Sequence, residues 1–238
     1  MTTLSPWIRR AVTATLCAFG FSVLPAAAAP LNVGSGNLSN YRACTLTVRG
    51  ASATEGFDTY VDQNASGSNF GTSNTMDVDA NTGTKIRRIY LRFDLTACSP
   101  QIPASATVTS ARLRLFLSGL PNACRTQDVF RVGSSWTETG ITWNNQPFGT
   151  TINNPPSGER TAAMNVGKSP CDNPTNSVYV TGWDVTTDVA AYVAGTATNH
   201  GWMIRDDAED SGNFGGTYRT KNVNQAVQSP QLIVNYTS

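Results

Sequence analysis

The chain has 238 residues, carries 17 Lys and Arg against 16 Asp and Glu, and is only 14% charged. Near neutrality argues against a general nucleic-acid binder, which needs a strong basic excess. A single histidine, His200, and the lack of any C-x-x-C spacing argue against a zinc site.

Residues 1–28 read as a secretory signal peptide. Trp7, Ile8, Arg9 and Arg10 close a short basic region, an apolar run follows, and Pro25-Ala26-Ala27-Ala28 supplies small residues for cleavage. The run is too short to be a spanning helix, and no later stretch is apolar enough to cross a membrane. The expected mature chain is secreted and extracellular. It keeps Cys44, Cys98, Cys124 and Cys171, an even count that reads as two disulfides. Residues 29–43 form a polar tether, and 44–238 a single domain.

Strands are expected at 45–48, 59–62, 75–79, 86–95, 108–117, 126–132, 161–166, 178–184, 202–205, 217–221 and 231–236, with Gly- and Asn-rich turns between them. The clearest is 86–95. There Ile89, Leu91, Phe93 and Leu95 share one face, and Arg88, Tyr90, Arg92 and Asp94 the other. Residues 108–117 repeat the design, with Ala111, Leu113, Leu115 and Leu117 opposite Arg112, Arg114 and Phe116. Two such strands need a second sheet to bury their apolar faces. The fold class is therefore all-β, a jelly-roll-like antiparallel β-sandwich with one short helix. That helix is expected at 187–194, capped by Thr186 and ended by Gly195. Cys98 follows one strand and Cys124 the next, at opposite ends of the sandwich, so a Cys98–Cys124 bridge exceeds the ~7 Å limit. We favour Cys44–Cys98 with Cys124–Cys171.

Hydrolytic chemistry finds little support. There is no G-x-S-x-G, no spare thiol, and a triad would have to use His200, beside a glycine at a strand start. Asp206, Asp207, Glu209 and Asp210 make an acidic turn whose oxygens suit Ca²⁺; the alternative is a solvated loop. Asp58 and Asp62 are open to the same two readings. No other cofactor is called for.

Aromatic and basic residues are more informative. Trp136 and Trp143 lie in the polar segment SSWTETGITWNNQP, either capping the core or offering flat faces to sugar rings. Trp136 directly follows a strand and is read as structural. Trp143, beside the amides of Asn144 and Asn145, is the better ligand candidate. If the two alternating strands are neighbours, Arg88, Arg92, Arg112 and Arg114 form a basic stripe that suits the carboxylates of an acidic polysaccharide. The alternative is an ordinary solvated sheet face.

DTYVDQNASGSNFGTS (58–73), RIYLRFDL (88–95), ATVTSARLRLFL (106–117), VFRVGSSWTETGITWNNQP (129–147), WDVTTDVAAYVAG (183–195), NHGWMIR (199–205) and PQLIVNY (230–236) follow one another in an order that resembles DNRLRE-type domains, which are grouped with carbohydrate-binding module family 96. The resemblance implies a jelly-roll-like sandwich, bacterial secretion and, for some members, binding to alginate. The expected function is a non-catalytic carbohydrate-binding module whose partner is an extracellular polysaccharide. A structural or adhesive protein of a matrix or surface assembly is the alternative, and a polysaccharide lyase the third reading.

Overall fold

The structure is a computed structural model and describes residues 40–238. The expected signal peptide and most of the expected tether lie outside the described residues. Among the described residues thirteen strands follow in chain order: β1 (Tyr41–Thr47), β2 (Gly56–Asp62), β3 (Thr75–Asn81), β4 (Lys85–Phe93), β5 (Thr107–Arg114), β6 (Phe116–Gly119), β7 (Arg125–Arg131), β8 (Ala162–Val166), β9 (Val178–Tyr179), β10 (Trp183–Asp184), β11 (Trp202–Asp206), β12 (Gly215–Arg219) and β13 (Gln231–Thr237). Among the described residues one α-helix, α1 (Thr186–Val193), lies between β10 and β11. Tyr41, Arg42 and Ala43 belong to β1 rather than to a tether, because they pair with Thr237, Tyr236 and Asn235 of β13.

Two antiparallel sheets pack face to face, as a jelly-roll-like sandwich requires. The smaller runs β1-β13-β5-β10; the larger runs β8-β7-β11-β4-β3-β12-β6-β9, with β2 paired to β4. Leu46, Ala111, Leu113 and Val234 of the small sheet meet Met76, Ile89, Leu91, Phe93, Val129 and Ile204 of the large one in the main core. The Cys44–Cys98 disulfide, with Cα atoms 5.7 Å apart, ties β1 of the small sheet to the turn after β4 of the large one. Cys124 and Cys171 are also bonded.

The expected single strands 108–117 and 178–184 each break in two, at the same corner. β5 and β10 pair in the small sheet, β6 and β9 in the large one. Between them the Val180 N–H donates to the Leu115 carbonyl at 3.0 Å, so the ladder continues as the chain changes sheets. Gly182 sits at the bend with φ +101°, and a Cβ there would lie 2.9 Å from Cγ of Arg114. Leu113, Leu115 and Leu117 are buried before, at and after the break, which is why the alternation reads through it.

The large sheet is covered on both faces. Val61, Ile86, Tyr90, Phe130 and Met203 point away from the main core and meet Val132, Ile141 and Trp143, with Trp136 and Phe148 packed against them. These last five come from the irregular segment between β7 and β8, which lies over the sheet as a third layer. In α1, Val189 joins the main core. Thr186 is the first helical residue rather than its cap; Asp184 Oδ1 accepts from its N–H and hydroxyl. Among the described residues no helix is long and apolar enough to cross a membrane.

Candidate functional site

The third layer changes what the candidate residues can do. Arg88 lies on the face of β4 away from the main core, yet its side chain is 0% exposed. Its Nε and Nη2 donate to Oε1 and Oε2 of Glu209 at 2.7 and 2.8 Å. The remaining donors go to Gln146 Oε1 and to the carbonyls of Gly149 and Thr151. The guanidinium also stacks over Trp143, 4.7 Å from the ring centroid. Arg88 is therefore a buried anchor, not a surface ligand. Trp143 is 3% exposed, so it has no face to offer a sugar. Trp136 is the more open of the two, which reverses the order expected from the sequence. Asn145 is exposed but accepts from the Thr142 N–H at 2.7 Å and donates to the Gly140 carbonyl at 3.0 Å, which closes the turn. Asn144 is exposed.

The basic stripe does not form. Arg88 and Arg92 are on β4 in the large sheet, Arg112 and Arg114 on β5 in the small one. Arg112 pairs with Asp184 at 3.4 Å, and Arg114 lies over Tyr179 and donates to the Val180 carbonyl. The acidic turn does not converge on a cation either. Asp206 turns to Arg125 and Glu209 to Arg88, while Asp207 is partly buried and Asp210 exposed. Among the described residues no cluster of three or more potential metal ligands is found. Asp62 is held by Arg87 at 2.8 Å, and Asp58 accepts from the Lys221 backbone N–H at 2.7 Å. His200 contributes its carbonyl, which accepts from Trp136 Nε1 at 2.8 Å.

Arg92 is the exception. It stands near the end of β4, half-buried, with its guanidinium 4.5 Å from the centroid of the Phe57 ring. No carboxylate among the described residues lies within ion-pair distance of it. Stacking on a ring orients the plane of the group and leaves its edge donors free. Arg92 lines a hollow of about 340 Å³ together with Thr54, Phe57, Phe93, Asp94 and Asn199. Asp94 uses Oδ1 to cap the turn at Thr96, which leaves Oδ2 as an acceptor. Asn199 is fixed by the Phe93 carbonyl and the Gly201 N–H.

Beneath Phe57 sits a buried charge cluster. Lys221 Nζ lies 5.3 Å from the ring centroid and donates to Glu138 Oε2 at 2.8 Å and to the carbonyls of Ala53 and Gly56. Glu138 Oε1 accepts from the Asp58 N–H at 3.1 Å. Burial, with Glu138 as a neighbour, pushes the Asp58 carboxyl up to about 7, even though the Lys221 N–H and ammonium oppose the shift. Gly71 completes the seat, for a Cβ there would strike the Glu138 carbonyl. Asn69 donates to the carbonyls of Glu138 and Ile141, both at 2.8 Å.

Phe57, Thr54 and Asn199 were not singled out from the sequence. The signal for Phe57 was its place directly before DTYVD, and for Asn199 its place at the head of NHGWMIR. Most of the motif residues have architectural duties: in W-x-E-x-x-I-T-W-N-N-Q-P, Glu138, Ile141, Trp143, Asn145 and Gln146 all fasten the third layer. Comparison with curated proteins found no match. The profile of carbohydrate-binding module family 96 matches residues 51–236, nearly all of the sandwich, and the chain belongs to that family, whose fold is that of a non-catalytic carbohydrate-binding module.

Proposed function

We propose that this protein is a secreted, non-catalytic module that binds an extracellular acidic polysaccharide such as alginate, with the carboxylate of one sugar unit on Arg92. The observation that carries the proposal is the guanidinium without an ion-pair partner among the described residues, 4.5 Å over the Phe57 ring, on a residue that lines an open hollow. A uronate carboxylate suits the guanidinium edge as a bidentate partner. Asp94, Thr54 and Asn199 supply oxygens and an amide for the ring hydroxyls. Family membership supports a carbohydrate as the ligand class.

Calorimetry against alginate, pectate and a neutral glucan tests the reading. The acidic chains are expected to bind and the neutral one to bind more weakly. Affinity for the acidic chains should fall with salt, since exposed charges are screened over about 10 Å at 0.1 M. Arg92→Ala should lose about 10- to 100-fold in affinity for them, the size of a charge-assisted hydrogen bond. Because Arg92 makes no ion pair, its melting temperature should change little. No heat with any glycan, or unchanged affinity in Arg92→Ala, overturns the proposal.

A further inference from the structure

The segment that buries Trp143 leaves Trp136 at the surface of a second hollow. This one measures about 290 Å³ and is lined by Ser135, Trp136, Thr137, Gly140, Ile141 and Asn145. It contains no charged side chain. One aromatic ring, two hydroxyls and the one Asn145 amide N–H not spent on closing the turn are groups that can meet a pyranose, whose ring carbons make an apolar face and whose rim carries hydroxyls.

The ring is held rigidly. Trp136 Nε1 donates to the His200 carbonyl at 2.8 Å, and the indole meets Tyr90 edge-on with centroids 5.8 Å apart. Its loop is closed by the N–H groups of Gly140 and Ile141, which donate to the Thr137 carbonyl, and Glu138 anchors it by accepting from the Asp58 N–H of β2, from Lys221 Nζ and, at its carbonyl, from the Asn69 amide. A platform fixed in this way loses little conformational entropy when a ligand arrives.

The two hollows are joined through consecutive residues. Asn199 lines the Arg92 hollow, and the carbonyl of its neighbour His200 holds the Trp136 indole. Gly201 presses against β4 so closely that a Cβ there would lie 2.8 Å from the Arg92 Cα, and φ +76° also favours glycine at this position. The 199–201 stretch thus connects the cation of one hollow to the ring of the other.

We propose that Trp136 forms a second saccharide subsite, which takes the apolar face of a sugar unit in the same chain whose carboxylate lies on Arg92. The ligand is then an oligosaccharide spanning several units rather than a single terminal sugar. This proposal rests on the reading of Arg92 as an acidic-glycan site. The Trp136 subsite is indifferent to charge and reads the ring face.

The test uses the full mature chain, ¹⁵N-labelled at tryptophan, with galacturonic acid, a tetragalacturonide and a neutral cellotetraose as probes. The tetragalacturonide is expected to shift the Trp136 indole signal and to bind more tightly than the monosaccharide. Trp136→Phe, which keeps a ring, should weaken tetragalacturonide binding about tenfold and leave galacturonic acid binding unchanged. Trp136→Ala should weaken it further; melting curves of both variants separate loss of the subsite from loss of fold. In Arg92→Ala, residual shifts of Trp136 by either tetrasaccharide support the second subsite on its own. Tetragalacturonide binding that leaves the Trp136 signal in place, with Trp136→Phe unchanged in affinity, overturns the second subsite alone. Shifts at Trp136 with no effect of Arg92→Ala overturn the acidic-glycan reading and the two-site chain. Silence with all three probes overturns both.

Discussion

Glu209→Gln should cost about 3–5 kcal/mol in urea unfolding, because it strands the Arg88 guanidinium without its counter-charge in the interior. Both side chains are 0% exposed, and two parallel hydrogen bonds join them. The glutamine keeps the shape and one acceptor, so the loss reports charge rather than volume. The effect should spread along the third layer. Glu209 Oε2 also accepts from the Asn153 N–H at 2.6 Å, and Arg88 holds the carbonyls of Gly149 and Thr151. Amide exchange of residues 149–153 should therefore accelerate more than that of β5 or β13. The double variant Arg88→Met/Glu209→Leu should be less damaged than Glu209→Gln, since two apolar side chains leave no uncompensated charge. A cost for Glu209→Gln below about 1 kcal/mol would mean that water reaches the pair.

The same pair explains where the sequence stopped being informative. In both 86–95 and 108–117 the arginines alternate with aliphatic residues, and period two separates the faces correctly in each. What period two cannot give is what lies on the far face. For Arg112 and Arg114 it is solvent and an edge strand; for Arg88 it is a segment that begins some forty residues later. The missing clue was collective. Val61, Ile86, Tyr90, Phe130 and Met203 each sit on the nominally outer face of a strand, and together they make an apolar patch that a one-sided sheet would not carry. Trp143, Ile141 and Phe148 in the polar segment are its cover. Taken singly, two tryptophans in a loop point to a ligand; taken with that patch, one of them belongs to the protein. The sheet change after Arg114 was hidden for a related reason: Leu113 before the corner, Leu115 at it and Leu117 after it are all buried, so the pattern continues while the partner strands change. Arg92 was named from the sequence, but its availability depends on Phe57, its cross-strand partner, and on there being no acid within ion-pair distance among the described residues, and neither follows from spacing.

Raising the pH from 5 to 8 should destabilise the protein, and Asp58 should carry about 2–3 kcal/mol of that loss. Its carboxyl is pushed up to about 7 by burial, against an ordinary value of 3.8. The sign follows from proton uptake. Between roughly pH 4 and 7 the folded chain holds a proton on Asp58 that the unfolded chain has released. Stability from this group is thus complete below the ordinary carboxyl value and is lost as the pH rises through 7. Asp79, raised to about 6 by burial despite Arg87 beside it, acts in the same direction over a narrower window. Asp58→Asn isolates the first contribution. An amide cannot ionise, and its oxygen can still accept from the Lys221 N–H that Oδ2 accepts now. Urea unfolding at pH 5, 6, 7 and 8 should show the wild type falling more steeply than Asp58→Asn, with the two curves diverging most between pH 5 and 7. The charge that appears on Asp58 lies beside Glu138, the residue that joins Lys221 to the loop carrying Trp136. Protection of the amides of residues 135–141, corrected for the intrinsic base-catalysed exchange rate at each pH, should accordingly fall as the pH rises through 7 in the wild type and not in Asp58→Asn. Parallel stability curves for the two proteins would place the Asp58 carboxyl near its ordinary value and remove the buried-acid account of this cluster.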